Sequence, residues 1–124
     1  MLMLTRYFEQ SEFTCKCGCE FPYELTDNVY NLAVNLEIIR NYINSPIIVN
    51  SGYRCKKHNA NEGGKSKSKH LIAIAADIKV KGLTPKQLAS VIKKLMDEGK
   101  IKAGGLKAYR TFVHYDIRGN YVTW

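Results

Sequence analysis

The chain has 124 residues and a mass of 14.1 kDa, and 45% of its residues are hydrophobic. Its length is typical of one compact domain, and its charged and aromatic fractions of 24% and 10% exclude disordered and fibrous proteins. No apolar run approaches the roughly 18 residues that span a bilayer, and the N-terminus lacks the basic region and apolar stretch of a secretory signal. We therefore expect one domain over residues 1–124, made in the cytoplasm.

The charge balance favours polyanionic partners without identifying one. Nineteen Lys and Arg residues against eleven Asp and Glu residues give a net charge of +8 and a pI near 9.4. Such an excess suits nucleic acid, anionic lipid or an acidic cell wall. The lysines are spread between the predicted elements, so an ordinary solvated surface explains them as well as a dedicated binding face does.

The first predicted helix follows an N-terminal segment, residues 1–24, that is rich in aromatic residues and cysteine. The helix runs from about Thr26 to Tyr42, and Thr26, Asp27 and Asn28 each offer a side-chain oxygen for its N-cap. Its apolar residues recur at helical spacing: Val29, Leu32, Ala33, Leu36 and Ile39.

Two strands are predicted next, with a long loop between them. The β-branched residues 47–49 indicate a short buried strand. Residues 51–69 have almost no large apolar groups and form a loop of a length that often carries function. The second strand runs over about 72–80, and its alternating residues separate into two faces.

The second main helix is the best-marked element. Thr84 and Gln87 have capping-box spacing, Pro85 occupies the first helical position, and Gly99 ends the helix. Its predicted buried face comprises Leu88, Val91, Ile92, Leu95 and Met96. Residues 111–117 then alternate as a strand. The pattern predicts an α+β fold with a small, mostly antiparallel sheet and two main helices, and it leaves the strand order open.

Three polar residues form a candidate metal set. His70 lies at the start of the second strand, seven residues before Asp77, and His114 lies within the last strand. Two imidazoles and a carboxylate suit zinc and leave its fourth tetrahedral position for water, which is the arrangement of catalytic zinc sites. Zinc lowers the pKa of that water to about 7 and polarises a carbonyl, as amide hydrolysis requires. Asp116 lies on the same strand face as His114 and could accept the proton.

Five ordered motifs surround these residues and resemble the zinc D-alanyl-D-alanine metallopeptidases, whose fold is shared with lysostaphin and with hedgehog signalling domains. In chain order the motifs are Ser51-Gly52-Tyr53-Arg54, Asn59 with Gly63-Gly64, Ser68-Lys69-His70, Ala75-Ala76-Asp77, and Phe112-Val113-His114-Tyr115-Asp116. The resemblance is strongest to short versions carried by bacteriophages and prophages, which cleave the peptide stems of peptidoglycan. These also begin with a segment similar to residues 7–13 and end near an Arg and a Trp, as at Arg118 and Trp124.

The resemblance implies a role for each matching residue. His70, Asp77 and His114 match the three zinc ligands. Arg54 matches the arginine that binds substrate and stabilises the oxyanion, which agrees with the charge that develops during amide hydrolysis. Ser68 matches a serine that holds substrate near the metal, although a hydroxyl that fixes the loop before His70 explains it equally well. Tyr53 belongs to the same substrate-binding motif.

Two positions depart from the family pattern. Ala73 replaces a usual glycine, and we expect the added methyl group to be tolerated. Thr111 stands where many members have the acidic general base, and threonine cannot act as a base at neutral pH. Asp116 is the preferred replacement as base, with the alternative that it orients a ligand histidine. His58 is a weaker candidate.

Four cysteines leave several interpretations open. Cys15, Cys17 and Cys19 are spaced by single residues, and Cys55 follows Arg54 directly. Four thiolates could hold a structural zinc that pins the N-terminal segment to the loop, although the usual C-x-x-C spacing is missing. A disulfide to Cys55 and four reduced thiols are the alternatives.

Together, these features predict a zinc peptidase that hydrolyses peptidoglycan stem peptides, as a D-Ala-D-Ala carboxypeptidase or an L-Ala-D-Glu endopeptidase, in phage or prophage lysis. The enzyme would reach the cell wall through a membrane pore or on lysis. Its basic surface would favour adsorption to anionic wall polymers. The alternative is a non-catalytic zinc-binding module of the same fold that binds cell wall, which Thr111 keeps open. We expect a monomer without a nucleic-acid partner, because DNA binding would leave the ordered motifs unexplained.

Overall fold

A four-stranded antiparallel sheet with two main helices forms the protein, as the computed structural model shows for residues 2–124; Met1 of the predicted N-terminal segment lies outside the described residues. The α+β prediction is confirmed. The helices are α1 (Thr26–Ile43), α2 (Lys56–Asn61) and α3 (Pro85–Asp97), and the strands are β1 (Ile48–Ser51), β2 (Ala75–Lys79), β3 (Leu106–Ala108) and β4 (Val113–Asp116). Short 3-10 helices cover Gln10–Phe13, Tyr23–Leu25 and Lys69–Ile72.

The strand order β1-β2-β4-β3 places β2 and β4 side by side at the centre of the sheet. In their register Asp77 is directly opposite His114, and on the other side of β2 Asp77 is opposite Ser51. A register shift between Val49 and Ser51 bends the end of β1. The sheet therefore brings together polar residues that lie far apart in the sequence.

The main helices match their predicted limits, but the N-cap predicted for α1 is wrong. Leu25 occupies that position without a side-chain cap, because the preceding 3-10 helix runs directly into α1 and Thr26 Oγ1 donates to the Tyr23 carbonyl instead. The capping box of Thr84 and Gln87 forms as predicted. The buried faces of both helices pack with the sheet in one core that includes Leu36, Ile39, Ile78, Leu88, Ile92, Leu95 and Tyr115.

Two short elements escape prediction from the sequence. The predicted loop 51–69 contains α2, which has only six residues and buries only Asn59, so it lacks the apolar periodicity that identifies a helix. Strand β3 has three residues, and pairing with β4 defines it rather than an alternation of its own.

The N-terminal segment contributes two aromatic side chains to the core and one backbone contact with the chain after β1. Phe8 and Phe13 are buried in the core, and the Tyr53 amide donates to the Phe13 carbonyl at 2.9 Å. A Cβ atom at Gly52 would lie 2.8 Å from Phe13 Cα, so only glycine permits this close approach. Among residues 2–124, no helix combines the length and apolar character needed to cross a membrane.

Candidate metal centre

The three predicted metal ligands meet where β2, β4 and the turn before β2 converge. His70 Nε2 lies 3.2 Å from Asp77 Oδ1, and His114 Nδ1 lies 3.4 Å from the same oxygen. All three side chains are buried, and their donor atoms lie within 4.8 Å of one another. Tetrahedral ligands at about 2.0–2.1 Å from a metal are about 3.3 Å apart. The donor set therefore fits a metal ion.

Protein acceptors orient both histidine rings toward Asp77. His70 Nδ1 lies 2.7 Å from the Gly52 carbonyl, and His114 Nε2 lies 2.8 Å from Asp116 Oδ2. A carbonyl and a carboxylate only accept hydrogen bonds, so these two ring nitrogens donate. The opposite nitrogen of each ring is left as the metal donor, which is the usual way in which a neighbouring acceptor selects a ligand tautomer.

Asp116 is fully buried behind His114, and both of its oxygens are occupied. Its Oδ1 accepts from the Gly105 amide at 2.8 Å and from Arg118 Nε at 2.9 Å. Its Oδ2 accepts from His114 Nε2 and from Arg118 Nη2 at 2.7 Å. A Cβ atom at Gly105 would overlap this carboxylate. With no oxygen left for a water proton, these contacts favour the orienting role of Asp116 over the general-base role.

Arg54 connects the end of β1 to the metal set. Its Nη2 lies 2.8 Å from Asp77 Oδ2, and its Nε donates to Ser51 Oγ at 3.0 Å. Its backbone amide donates to the His70 carbonyl at 3.1 Å. Arg54 therefore holds the Asp77 oxygen that does not face the histidines, while its Nη1 makes only a 3.5 Å contact with Asn59.

An open cavity of about 650 Å³ leads to the metal set and is mainly cationic and aromatic. Lys65, Lys67 and Lys69 contribute to its wall together with Arg54 and Arg118. Its aromatic lining consists of Tyr109, Phe112 and Trp124. Among residues 2–124, the acidic side chains in the lining are Asp77 and Glu62. This arrangement suits an extended ligand that carries negative charge.

Some residues of the cavity were not singled out as functional from the sequence. The Trp124 ring packs edge-on against His114, with centroids 5.1 Å apart, and its Nε1 donates to Tyr109 Oη. Arg118 bonds both oxygens of Asp116. An Asp and an Arg two residues apart at a strand end were a usable signal for this pair. The family resemblance marked Trp124 only as a residue near the end of the domain, and no motif marked Glu62.

The predicted substrate-binding residue Tyr53, the weaker base candidate His58 and Thr111, at the position of the missing family base, do not line the cavity. Tyr53 packs against Phe21, since neighbours on an extended chain point to opposite sides and Arg54 faces the metal set. Burial raises the pKa of the Tyr53 hydroxyl. Thr111 is exposed and lines a separate cavity of about 20 Å³, and His58 lies beside Glu62.

Ser68 and Ala73 lie at the two ends of the short 3-10 helix that carries His70. Ser68 lines the cavity, and its hydroxyl also accepts from the His70 amide at 3.2 Å, so it caps the turn that carries this ligand. Ala73 ends the same turn with a φ of 60°. The glycine usual at this position therefore reflects backbone conformation as well as space, and alanine there costs about 1–2 kcal/mol.

The cysteines form a second cluster away from the cavity lining. The sulfur atoms of Cys15, Cys17 and Cys55 lie within 4.8 Å of one another, whereas Cys19 is outside this group. All four are free thiols. The His58 amide, which donates to Cys55 Sγ, lowers the pKa of the Cys55 thiol to about 7.

The ionised groups of the metal set predict how the stability of the metal-free protein depends on pH. Burial raises the pKa of Asp77, but hydrogen bonds from His114 and His70 outweigh it and hold the pKa below the usual 3.8. Burial also raises the pKa of Asp116, and bonds from His114, Arg118 and Gly105 again lower it below 3.8. Burial lowers the pKa of His114, but Asp116 and Asp77 raise it above the usual 6.5.

A depressed carboxyl pKa stabilises the fold above the unfolded pKa, and that contribution is lost as the pH falls. A raised histidine pKa stabilises the fold below the unfolded pKa, and that contribution is lost as the pH rises. We expect the free energy of unfolding of the metal-free protein, measured with urea, to be greatest between roughly pH 4 and 6.5. A steady rise up to pH 8 would contradict this assignment of charges.

Asp116→Asn separates the two roles considered for Asp116. If Asp116 orients His114, the variant weakens metal binding by about 10- to 100-fold, measured by competition with a chelating indicator. Arg118→Ala should weaken binding in the same direction and keeps the test valid if Asp116→Asn folds poorly. Thr111→Ala is the matched control and should leave affinity unchanged. Unaltered affinity in both test variants would restore the general-base interpretation.

Comparison with known proteins agrees with the resemblance seen in the sequence. A sequence model of the family described as Peptidase M15 matches residues 6–116, which include the whole candidate metal set and Arg54. No similar sequence was found among curated proteins. The family match covers nearly the whole chain, and the buried His-Asp-His set provides the metal donors that a metallopeptidase needs. The chain therefore belongs to the peptidase M15 family of D-Ala-D-Ala-type metallopeptidases.

Proposed function

We propose that this metallopeptidase is a zinc enzyme that hydrolyses the stem peptides of peptidoglycan. The bond is either D-Ala-D-Ala, cut by a carboxypeptidase, or L-Ala-D-Glu, cut by an endopeptidase. The observation that carries the proposal is the His70–Asp77–His114 set at the base of a cationic cavity in a chain of this family. The similarity to short phage enzymes supports a role in phage or prophage lysis, with action at the cell wall after release.

The donor chemistry of the set supports zinc. Two neutral imidazoles and one carboxylate are common ligands of catalytic zinc, and three protein ligands leave one position open. A zinc ion held by these three residues would supply a Lewis acid for the scissile carbonyl and would lower the pKa of a water molecule to about 7. The hydrogen bond to Asp116 keeps His114 in the tautomer whose Nδ1 carries no proton and can bind a metal. The hydrogen bond to the Gly52 carbonyl leaves Nε2 of His70 unprotonated in the same way.

The charge of the cavity supports an acidic peptide as substrate. Stem peptides carry free carboxylates, and the cavity lining offers them cationic partners in Lys65, Lys67, Lys69 and Arg54. The aromatic side chains of Tyr109 and Trp124 give the peptide an apolar wall. The net charge of +8 further favours adsorption to anionic wall polymers.

Arg54 would stabilise the negative charge that develops on the substrate. Its Nη2 is engaged with Asp77, while Nη1 lacks a short hydrogen bond within the described chain and is free to donate to a carbonyl oxygen. A guanidinium in a partly buried site stabilises an oxyanion more strongly than it would in water. Glu62 lines the cavity and is, with solvent, a candidate proton acceptor, since both oxygens of Asp116 already accept hydrogen bonds.

Purified peptidoglycan tests the proposed reaction directly. We expect zinc-loaded protein to generate new amino termini, with released D-Ala identifying the carboxypeptidase and its absence identifying the endopeptidase. A chelator and His70→Ala should each abolish cleavage, and Thr111→Ala is the control that should retain it. Zinc bound at the His-Asp-His set without cleavage of any wall type would overturn the peptidase and favour the non-catalytic wall-binding module.

Arg54→Ala tests the oxyanion role. We expect kcat/KM on stem peptide to fall by about 100-fold or more because the guanidinium contact is lost, while metal content, measured by atomic absorption, is retained. Arg54→Lys should restore only part of the loss, since an ammonium cannot bridge Asp77 and the substrate together. Lys57→Ala removes a positive charge outside the cavity lining and serves as the control. Unchanged kinetics for Arg54→Ala would remove this residue from the mechanism.

A further inference from the structure

Three cysteine sulfurs meet at a point that the proposed reaction does not use. Cys15 Sγ lies 3.2 Å from Cys17 Sγ and 3.8 Å from Cys55 Sγ, and the Cys17 and Cys55 sulfurs are 3.5 Å apart. In a tetrahedral zinc site with metal–sulfur distances of about 2.3 Å, neighbouring sulfurs are about 3.8 Å apart. The three thiols are therefore arranged as one triangular face of such a site.

Backbone amides around the cluster donate hydrogen bonds to the cysteine sulfurs, which stabilises the thiolate form that binds a metal. The Cys55 amide donates to Cys15 Sγ, and the His58 amide donates to Cys55 Sγ, each at 3.4 Å. The Cys15 amide also donates to the Cys19 carbonyl, through a turn at Gly18 with a φ of 97°. This turn folds Cys19 back toward the cluster, where it influences the pKa values of the Cys17 and Cys55 thiols.

Hydrophobic burial gives this part of the N-terminal segment little stability. Cys17, Gly18 and Cys19 are exposed, and only Cys15 is buried. The exposed residues 16–20 contribute little apolar burial of their own, so another source of free energy is needed to keep this turn fixed. Metal binding by thiolates supplies it in small protein segments.

We propose that Cys15, Cys17 and Cys55, with Cys19 as the fourth ligand, bind a structural zinc ion that is separate from the His-Asp-His site. Thiolate ligands in a tetrahedral arrangement select zinc over harder divalent cations. A disulfide would join only two of three mutually close sulfurs, whereas a metal engages all of them.

The position of this site gives it a consequence for the active site. Cys55 is adjacent to Arg54 and is the N-cap of α2, and the Cys15 turn follows Phe13, whose carbonyl accepts from the Tyr53 amide. A metal at the cluster would therefore clamp the N-terminal segment to the chain that carries Arg54. We expect its loss to weaken Arg54-dependent catalysis while leaving the His-Asp-His ligands in place.

The test uses purified full-length protein and metal alone, with no peptidase assay in its primary readout. Wild-type apoprotein titrated with zinc should bind about two ions per chain, and His70→Ala about one. Cys17→Ser, an exposed position, should lose about one ion while retaining the other. Lys16→Ala, in the same turn, is the matched control and should bind like wild type. Cys19→Ser should weaken the cysteine site as its fourth ligand is removed.

Cobalt substitution and thiol alkylation identify the ligands independently. Cobalt bound to the His70→Ala variant should give a sulfur-to-metal charge-transfer band, and adding Cys17→Ser to that variant should abolish the band. In a separate experiment, zinc should slow alkylation of all four cysteines. Equal zinc content in Cys17→Ser and wild type, alkylation unaffected by zinc, or a disulfide found by mass spectrometry would overturn the proposal. These readouts are independent of the proposed peptidase, which can fail while the cysteine site stands.

Discussion

The structure depends on one cross-strand pair, Asp77 opposite His114, in the two central strands of the sheet. A buried carboxylate is unfavourable unless charged partners and hydrogen bonds satisfy it. Asp77 meets this requirement because its Oδ1 contacts His70 and His114 and its Oδ2 contacts Arg54. These contacts stabilise the buried carboxylate of Asp77. They also bring the candidate metal donors together and place the guanidinium of Arg54 beside them.

A second line of contacts behind His114 fixes the ring. Asp116 lies between His114 and Arg118, and Gly105 permits the loop before β3 to approach its carboxylate and donate an amide. A ligand histidine held in this way loses little freedom when it binds a metal. The contacts of Asp116 also bear on how the site works, because both oxygens of the residue predicted to accept a proton already accept hydrogen bonds from the protein.

The cysteine cluster and the metal set are linked by a few residues of the chain between β1 and α2. Tyr53 faces the N-terminal segment, Arg54 faces Asp77, and Cys55 faces Cys15 and Cys17. An extended chain presents successive side chains to opposite sides, so one short stretch can serve both clusters. The cysteine cluster and the metal set are therefore joined through adjacent residues of one short segment.

The sequence by itself determined the elements with clear periodicity or capping signals, α1, α3 and the central strands. The residue types of His70, Asp77 and His114, together with the family resemblance of the motifs around them, indicated a candidate metal set. The sequence could not determine the strand order, the short elements α2 and β3, or the saturation of Asp116. Those features arise from contacts between distant residues, such as Gly105 with Asp116 and Trp124 with His114. Local patterns predict which residues favour a helix or strand, but only the packed structure decides which side chains share a charge and which oxygens remain free to react.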